Sequence, residues 1–180
     1  MRPMLMVALA GLLANPVAAQ EADAARFSTG PVFADFGMVA DIETSWDIPA
    51  GTALKHSFDV GSRTEEGMNR GFVSVARFIN MHARAGVSDV ETALVVHGQA
   101  ANDLLNAETY AAKFEGAENA SAALVRALLD HGVRVILCGQ TAAGLGLDGT
   151  EDLIPGVEVA LSAMTAHAVL QQQGYTVNPF

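Results

Sequence analysis

Ala93-Leu94-Val95-Val96-His97-Gly98 and Val133-Arg134-Val135-Ile136-Leu137-Cys138-Gly139 are the two stretches on which the fold turns. Each is an apolar run of strand length, the second broken only by Arg134, and each stops at a reactive side chain followed by glycine. Continuous apolar runs, as opposed to alternating ones, belong to strands covered on both faces. Between them, residues 101–113 and 120–131 read as helices, the second turning Val125, Leu128 and Leu129 inward and stopping at Gly132. Strands alternating with helices imply right-handed crossovers and a three-layer α/β/α arrangement around a mostly parallel sheet. Ligands in such sheets collect beyond the carboxyl ends of the strands, where His97 and Cys138 both fall.

Upstream, residues 53–60 alternate, with Leu54, His56, Phe58 and Val60 on one face and Lys55, Ser57 and Asp59 on the other, as in a half-buried strand. Ser62 and Glu65 form a capping-box pattern, and Met68, Phe72, Val75 and Ile79 follow at helical spacing, predicting a helix over 65–84. Downstream, Leu161, Met164 and Ala168 predict a helix over 157–173, and Tyr175–Val177 a closing strand. Residues 20–50 lack sustained periodicity and carry Pro31, Gly37 and Pro49, so they read as an irregular arm anchored by Phe27, Val32, Phe33, Phe36 and Trp46. Residues 51–180 form the α/β domain, without internal repeats or low-complexity tracts.

Arg2, the apolar run Met4–Leu13 and Pro16-Val17-Ala18-Ala19 follow the charged, apolar, small-residue order of a signal peptide over 1–19, with cleavage after Ala19. The run is too short to span a bilayer, and the expected location is outside the cytoplasm. The chain has 10 basic and 20 acidic residues; loss of Arg2 leaves a net charge of −11. That surface, without a Lys/Arg cluster, disfavours nucleic acid and anionic membrane. The single cysteine excludes an internal disulfide and a C-x-x-C oxidoreductase. A lone thiol in an exported protein is buried, paired between chains, or used.

Cys138 leads into Gly139-Gln140-Thr141-Ala142-Ala143-Gly144, read as a flexible stretch whose backbone N–H groups stabilise a thiolate. The alternative is a small packed side chain. His97, before Gly98, is the candidate proton acceptor for the thiol; His56, His82, His131 and His167 read as structural. Gly144-Leu145-Gly146-Leu147-Asp148-Gly149 matches G-x-G-x-x-G formally, but it begins after the strand has ended and opens no helix, so no dinucleotide site is expected. No Walker, H-E-x-x-H, G-x-S-x-G or paired-cysteine motif occurs, and neither cofactor nor metal is expected. Asn119-Ala120-Ser121 is a formal glycosylation sequon.

With these residues in place, the chain resembles the DsrE/DsrF-like family, in particular its exported single-domain branch. The resemblance is carried by Pro31-Val32 with Gly37, Phe78-Ile79-Asn80-Met81-His82 before Ala85-Gly86-Val87, Val95-Val96-His97-Gly98, Val135-Ile136-Leu137-Cys138-Gly139-Gln140, Leu153-Ile154-Pro155-Gly156-Val157, Leu161-Ser162-Ala163-Met164-Thr165-Ala166 and Gln173-Gly174-Tyr175. It implies a parallel α/β/α sheet, homo-oligomers such as trimers or hexamers, and sulfur relay in which the cysteine matching Cys138 receives sulfur as a persulfide. It also implies a sulfur donor or acceptor protein as partner. The expected function is periplasmic sulfur carriage on Cys138, with His97, Gly98, Gly139 and Gln140 around the sulfur. The rival is a non-catalytic oligomeric module that binds a small ligand and in which Cys138 only packs; a third possibility is a redox sensor joined through Cys138.

Overall fold

The computed structural model describes residues 26–147 and 149–178. The signal segment read at 1–19, the start of the arm, and Asp148 of the glycine-rich motif lie outside them. The chain runs β1 (Phe27–Ser28), β2 (Val39–Ala40), β3 (Leu54–Val60), α1 (Arg70–Arg84), β4 (Val90–Val96), a 3₁₀ segment (Gly98–Leu104), α2 (Ala107–Lys113), α3 (Ala122–Asp130), β5 (Arg134–Cys138), α4 (Gly139–Leu145), β6 (Glu158–Ala160), α5 (Ala163–Gln172) and β7 (Thr176–Asn178).

The second half of β4, Ala93–Val96, reads as an unbroken apolar run because it lies at the centre of a five-stranded sheet, order β6-β5-β4-β3-β7, in which every neighbour is parallel. Its side chains alternate between two cores. Leu94 and Val96 join Phe58, Val135 and Leu137 beneath Phe72 of α1 and Leu124 of α3. Ala93 and Val95 face the other way, with Ile136, beneath Ala166 and Leu170 of α5. The first core is much the larger, and the second face is covered by α5 alone among the described helices. This is the expected α/β/α arrangement, with one thin outer layer.

Four local expectations are corrected. The helix expected over 65–84 begins at Arg70: Gly67 takes a left-handed φ of 77°, and the Asn69 side chain caps the helix by accepting the Gly71 N–H. The helix expected over 101–113 is a 3₁₀ segment followed by α2, which starts where Asn106 accepts the Thr109 N–H. The helix expected over 157–173 hides the edge strand β6; α5 starts only after Ser162, whose Oγ accepts the Thr165 N–H. The stretch Gly139–Gly144, read as flexible, is helical within α4.

The arm is held on α1 by Asn80 at its middle and by Arg77 and Arg84, which donate to the carbonyls of Met38, Val39 and Thr29. Asn80 of α1 is fully buried; its Oδ1 accepts the N–H groups of Val32 and Phe33, and its Nδ2 faces the carbonyls of Phe33, Phe36 and Gly37. Gly37 lies so close to α1 that a Cβ there would stand 2.3 Å from the Arg77 nitrogen. Of the expected apolar anchors, Phe33 is buried and Phe36 packs on the core, but Trp46 is 76% exposed and Phe27 and Val32 are also exposed.

Candidate active site at the strand ends

Cys138 is the last residue of β5 and the residue before α4, so its side chain meets backbone N–H groups that have no partner inside the helix. It is 6% exposed, yet it lines a cleft of about 320 Å³ shared with Asp59, His97, Gln140, Thr141 and His167. Burial pushes the thiol upward; the Thr141 hydroxyl and the N–H groups of Thr141, Ala163 and Gln140 outweigh it and bring the thiol below its ordinary value. Thr141 Oγ1 also accepts the Gly98 N–H at 3.2 Å, which directs the hydroxyl's own hydrogen to the sulfur and ties the end of β4 to the end of β5. Gly139 is required sterically, since a Cβ would stand 2.6 Å from the Ala160 carbonyl oxygen. Gln140 contributes its backbone; its side-chain amide donates to the Leu161 carbonyl at 3.2 Å.

His97 follows β4 and precedes the 3₁₀ segment. Its ring lies against Gly61, where a Cβ would come within 2.5 Å of Cε1. Gly98 turns the chain away at φ 52°, leaving no room for a side chain 2.7 Å from the Gly61 carbonyl oxygen. Among the described residues no hydrogen bond joins His97 to Cys138; the two share the cleft, while His97 Nε2 stands 3.3 Å from Asp59 Oδ1 at the end of β3. The same carboxylate oxygen receives His167 Nε2 of α5 at 2.9 Å. Three strand ends and one helix thus bring Asp59, His97, Cys138 and His167 to one cleft.

Asp59 and His167 were not selected from the sequence. Asp59 sat on the polar face of an alternating strand, and His167 on a helix whose packing direction one chain does not reveal. The remaining histidines lie elsewhere: His56 stacks on Phe78, His82 Nδ1 meets the Phe78 carbonyl, and His131 sets its ring against Phe33. Burial, then His82, lowers the pKa of His56. Among the described residues no group of three or more His, Cys, Asp or Glu side chains is arranged to hold a metal ion. In the sequon, Asn119 Nδ2 donates to the carbonyls of Asp103 and Leu105 and Ser121 is buried, so the folded chain does not present that amide. No described helix is long and apolar enough to cross a membrane.

A second cleft, about 790 Å³, opens on the other side of Asp59 and His97, toward Arg63 and Asn69. Its floor is pinned by Asp103, which accepts from Arg63 Nε and Asn69 Nδ2. Burial raises the Asp103 carboxyl against the opposing pull of those two partners. The Arg63 guanidinium lies over Phe114.

The DsrE/DsrF-like family model matches residues 56–179, from β3 through β7. The chain belongs to the DsrE/DsrF-like family. Among solved structures, a protein of unknown function from Methanobacterium thermoautotrophicum, MTH1491, superposes with a TM-score of 0.55 at 22% identity, over 71% of this chain and 99% of that one. The ychN protein of E. coli superposes with a TM-score of 0.51 at 20% identity, over 71% of this chain and 100% of its own. Both likenesses establish the fold of this DsrE/DsrF-like chain. A search of curated proteins found no match.

Proposed function

We propose that this chain is an exported sulfur carrier in which Cys138 holds sulfane sulfur as a persulfide. The observation that carries the reading is the chain's one thiol, drawn below its ordinary value by the Thr141 hydroxyl and neighbouring backbone N–H groups, in a cleft that two histidines share. In loading, the Cys138 thiolate attacks a terminal sulfur of a polysulfide chain. A new S–S bond forms to Cys138, one S–S bond of the donor breaks, and the shortened polysulfide leaves with the electron pair. In unloading, an acceptor thiolate attacks the outer sulfur and Cys138 departs as thiolate. A thiol of lowered pKa is the better leaving group in that step. His97 is the proton-exchanging partner for the outer sulfur, and the backbone around Gly98, Gly139 and Gln140 shapes the space it occupies.

Intact-mass measurement after polysulfide treatment tests this directly. The expected result is a single added sulfur, removable by a reducing thiol and missing from Cys138→Ser; an unmodified wild-type chain would sink the reading. Export rests on the order of residues 1–19, and amino-terminal sequencing of the secreted protein is expected to begin at Gln20. Homo-oligomers are proposed from the thin second layer, whose rim leaves Leu161 73% and Met164 79% exposed beside Cys138. A sulfur-bearing donor or acceptor protein would approach through the mouth of the cysteine cleft, past Asp59 and Thr141.

A second reading has its own observation, the 6% exposure of Cys138. In it the cysteine packs and the larger cleft at Arg63 holds a small ligand. Thiol labelling that succeeds only in denaturant would favour it.

A further inference from the structure

One oxygen of Asp59 faces two imidazole nitrogens, His97 Nε2 at 3.3 Å and His167 Nε2 at 2.9 Å. A carboxylate has only lone pairs to offer, so the His167 hydrogen bond requires a hydrogen on that Nε2, while the His97 contact is an ion-pair distance. Asp59 thereby sets the tautomer of His167 and holds the Nε2 side of His97 toward itself. His167 Nδ1 lies 3.4 Å from Ser57 Oγ, whose hydroxyl donates to the Thr176 carbonyl at 3.1 Å and so turns a lone pair to the ring. For His97, no hydrogen bond to Nδ1 occurs among the described residues, and its ring lines the cleft that Cys138 lines.

We propose that Asp59, His97 and His167 form one proton-exchanging unit of the Cys138 site, in which Asp59 and His167 are positioning residues that hold the His97 ring in the cysteine cleft. This rests on the sulfur-carrier reading for its purpose: a proton given to the outer sulfur of the persulfide removes the negative charge that would repel an incoming thiolate. A hydrogen that the His97 ring presents to the sulfur favours the sulfur anion, and Asp59 holds the ring in place to present it. The titratable groups facing the unit are Cys138 within its own cleft and, across the partition in the larger cleft, Arg63, Glu65, Glu66 and Arg70.

The test is the pH dependence of Cys138 alkylation in the full chain, for wild type, Asp59→Asn and His167→Gln, with thermal melting to verify folding. It needs no sulfur donor, so it is read independently of whether a persulfide forms. A carboxylate acting alone opposes a nearby thiolate, and its removal would lower the alkylation midpoint. A carboxylate that holds an imidazole in place to present a hydrogen to the sulfur does the reverse. The expected result is therefore a midpoint raised in Asp59→Asn, by about one pH unit, and raised by a smaller amount in His167→Gln. A lowered or unchanged midpoint in Asp59→Asn overturns the proposal. Should that variant fail to fold, an unchanged midpoint in His167→Gln does the same.

Discussion

Thr141 does two things with one hydroxyl. It takes the Gly98 N–H and gives its own hydrogen toward Cys138 sulfur, so the thiolate is stabilised by a group that the neighbouring strand holds in orientation. Thr141→Val keeps the volume and removes both bonds. The alkylation midpoint of Cys138 is expected to rise by about one unit, and the rate at neutral pH to fall by about tenfold, as stopped-time mass spectrometry would measure. An unchanged midpoint would mean that the backbone donors alone set the thiol. At this scale the sequence exposed part of the site. His97 and Cys138 were legible because each terminates a continuous apolar run, and in a parallel sheet that position is a cleft. His167 was not, because a histidine on an amphipathic helix has no visible direction until the helix is docked. Asp59 was not, because alternation marks a side chain as pointing away from the core without saying what stands there.

β6 shows where element reading gives out. It is three residues long, has Pro155 and Gly156 before it, and is followed by Leu161 and Met164 at a spacing that imitates a helix. Its register on β5 is supported by a two-bond ion pair, Arg134 Nε and Nη2 to Glu158 Oε1 and Oε2 at 2.9 and 2.8 Å. Arg134 holds the Glu158 carboxyl below its usual range, outweighing the opposing effect of burial. A depressed folded value means the pair contributes above the ordinary carboxylate pKa and is lost as pH falls through the folded one. Glu158→Gln is expected to cost under about 1 kcal/mol at neutral pH, both partners being half exposed, with the difference from wild type vanishing in strong acid. Urea unfolding at several pH values reads both. Asn80→Ala is the contrasting case, since it strands the amides of Val32 and Phe33 and three carbonyls in a buried place. A loss of about 3 kcal/mol and early proteolysis between residues 30 and 40 are expected; a variant that keeps its unfolding midpoint would mean that Phe33, Phe36 and the Arg77 and Arg84 bonds suffice to hold the arm.

The molecule as a whole is lopsided. One face of the sheet carries a deep core under α1 and α3; the other carries a cluster of six buried residues, two of them α5's own, flanked by Val159, Leu161, Met164 and Val169 in the open. A second copy laid on that side would complete the third layer and shield the rim of the cysteine cleft. The double variant Leu161→Asp and Met164→Glu is accordingly expected to sediment as a monomer where the wild type does not; identical sedimentation would place the contact elsewhere. The layer order was readable from the strand and helix alternation, because chain reversal over a parallel sheet has few solutions. The unequal depth of the layers was not, since it depends on how many helices fall on each side.

The arm lies almost wholly before the region shared with the family, residues 56–179, while the asparagine that holds it lies inside that region. Position 80 is thus a lock whose key is encoded elsewhere in the gene. A relative without such an arm has no use for a buried amide in the middle of α1 and would be expected to fill the place with an apolar side chain. Grafting residues 26–50 onto such a scaffold would require that one helix position to change with them, and the identity of residue 80 becomes a single-letter test for which family members carry the appendage.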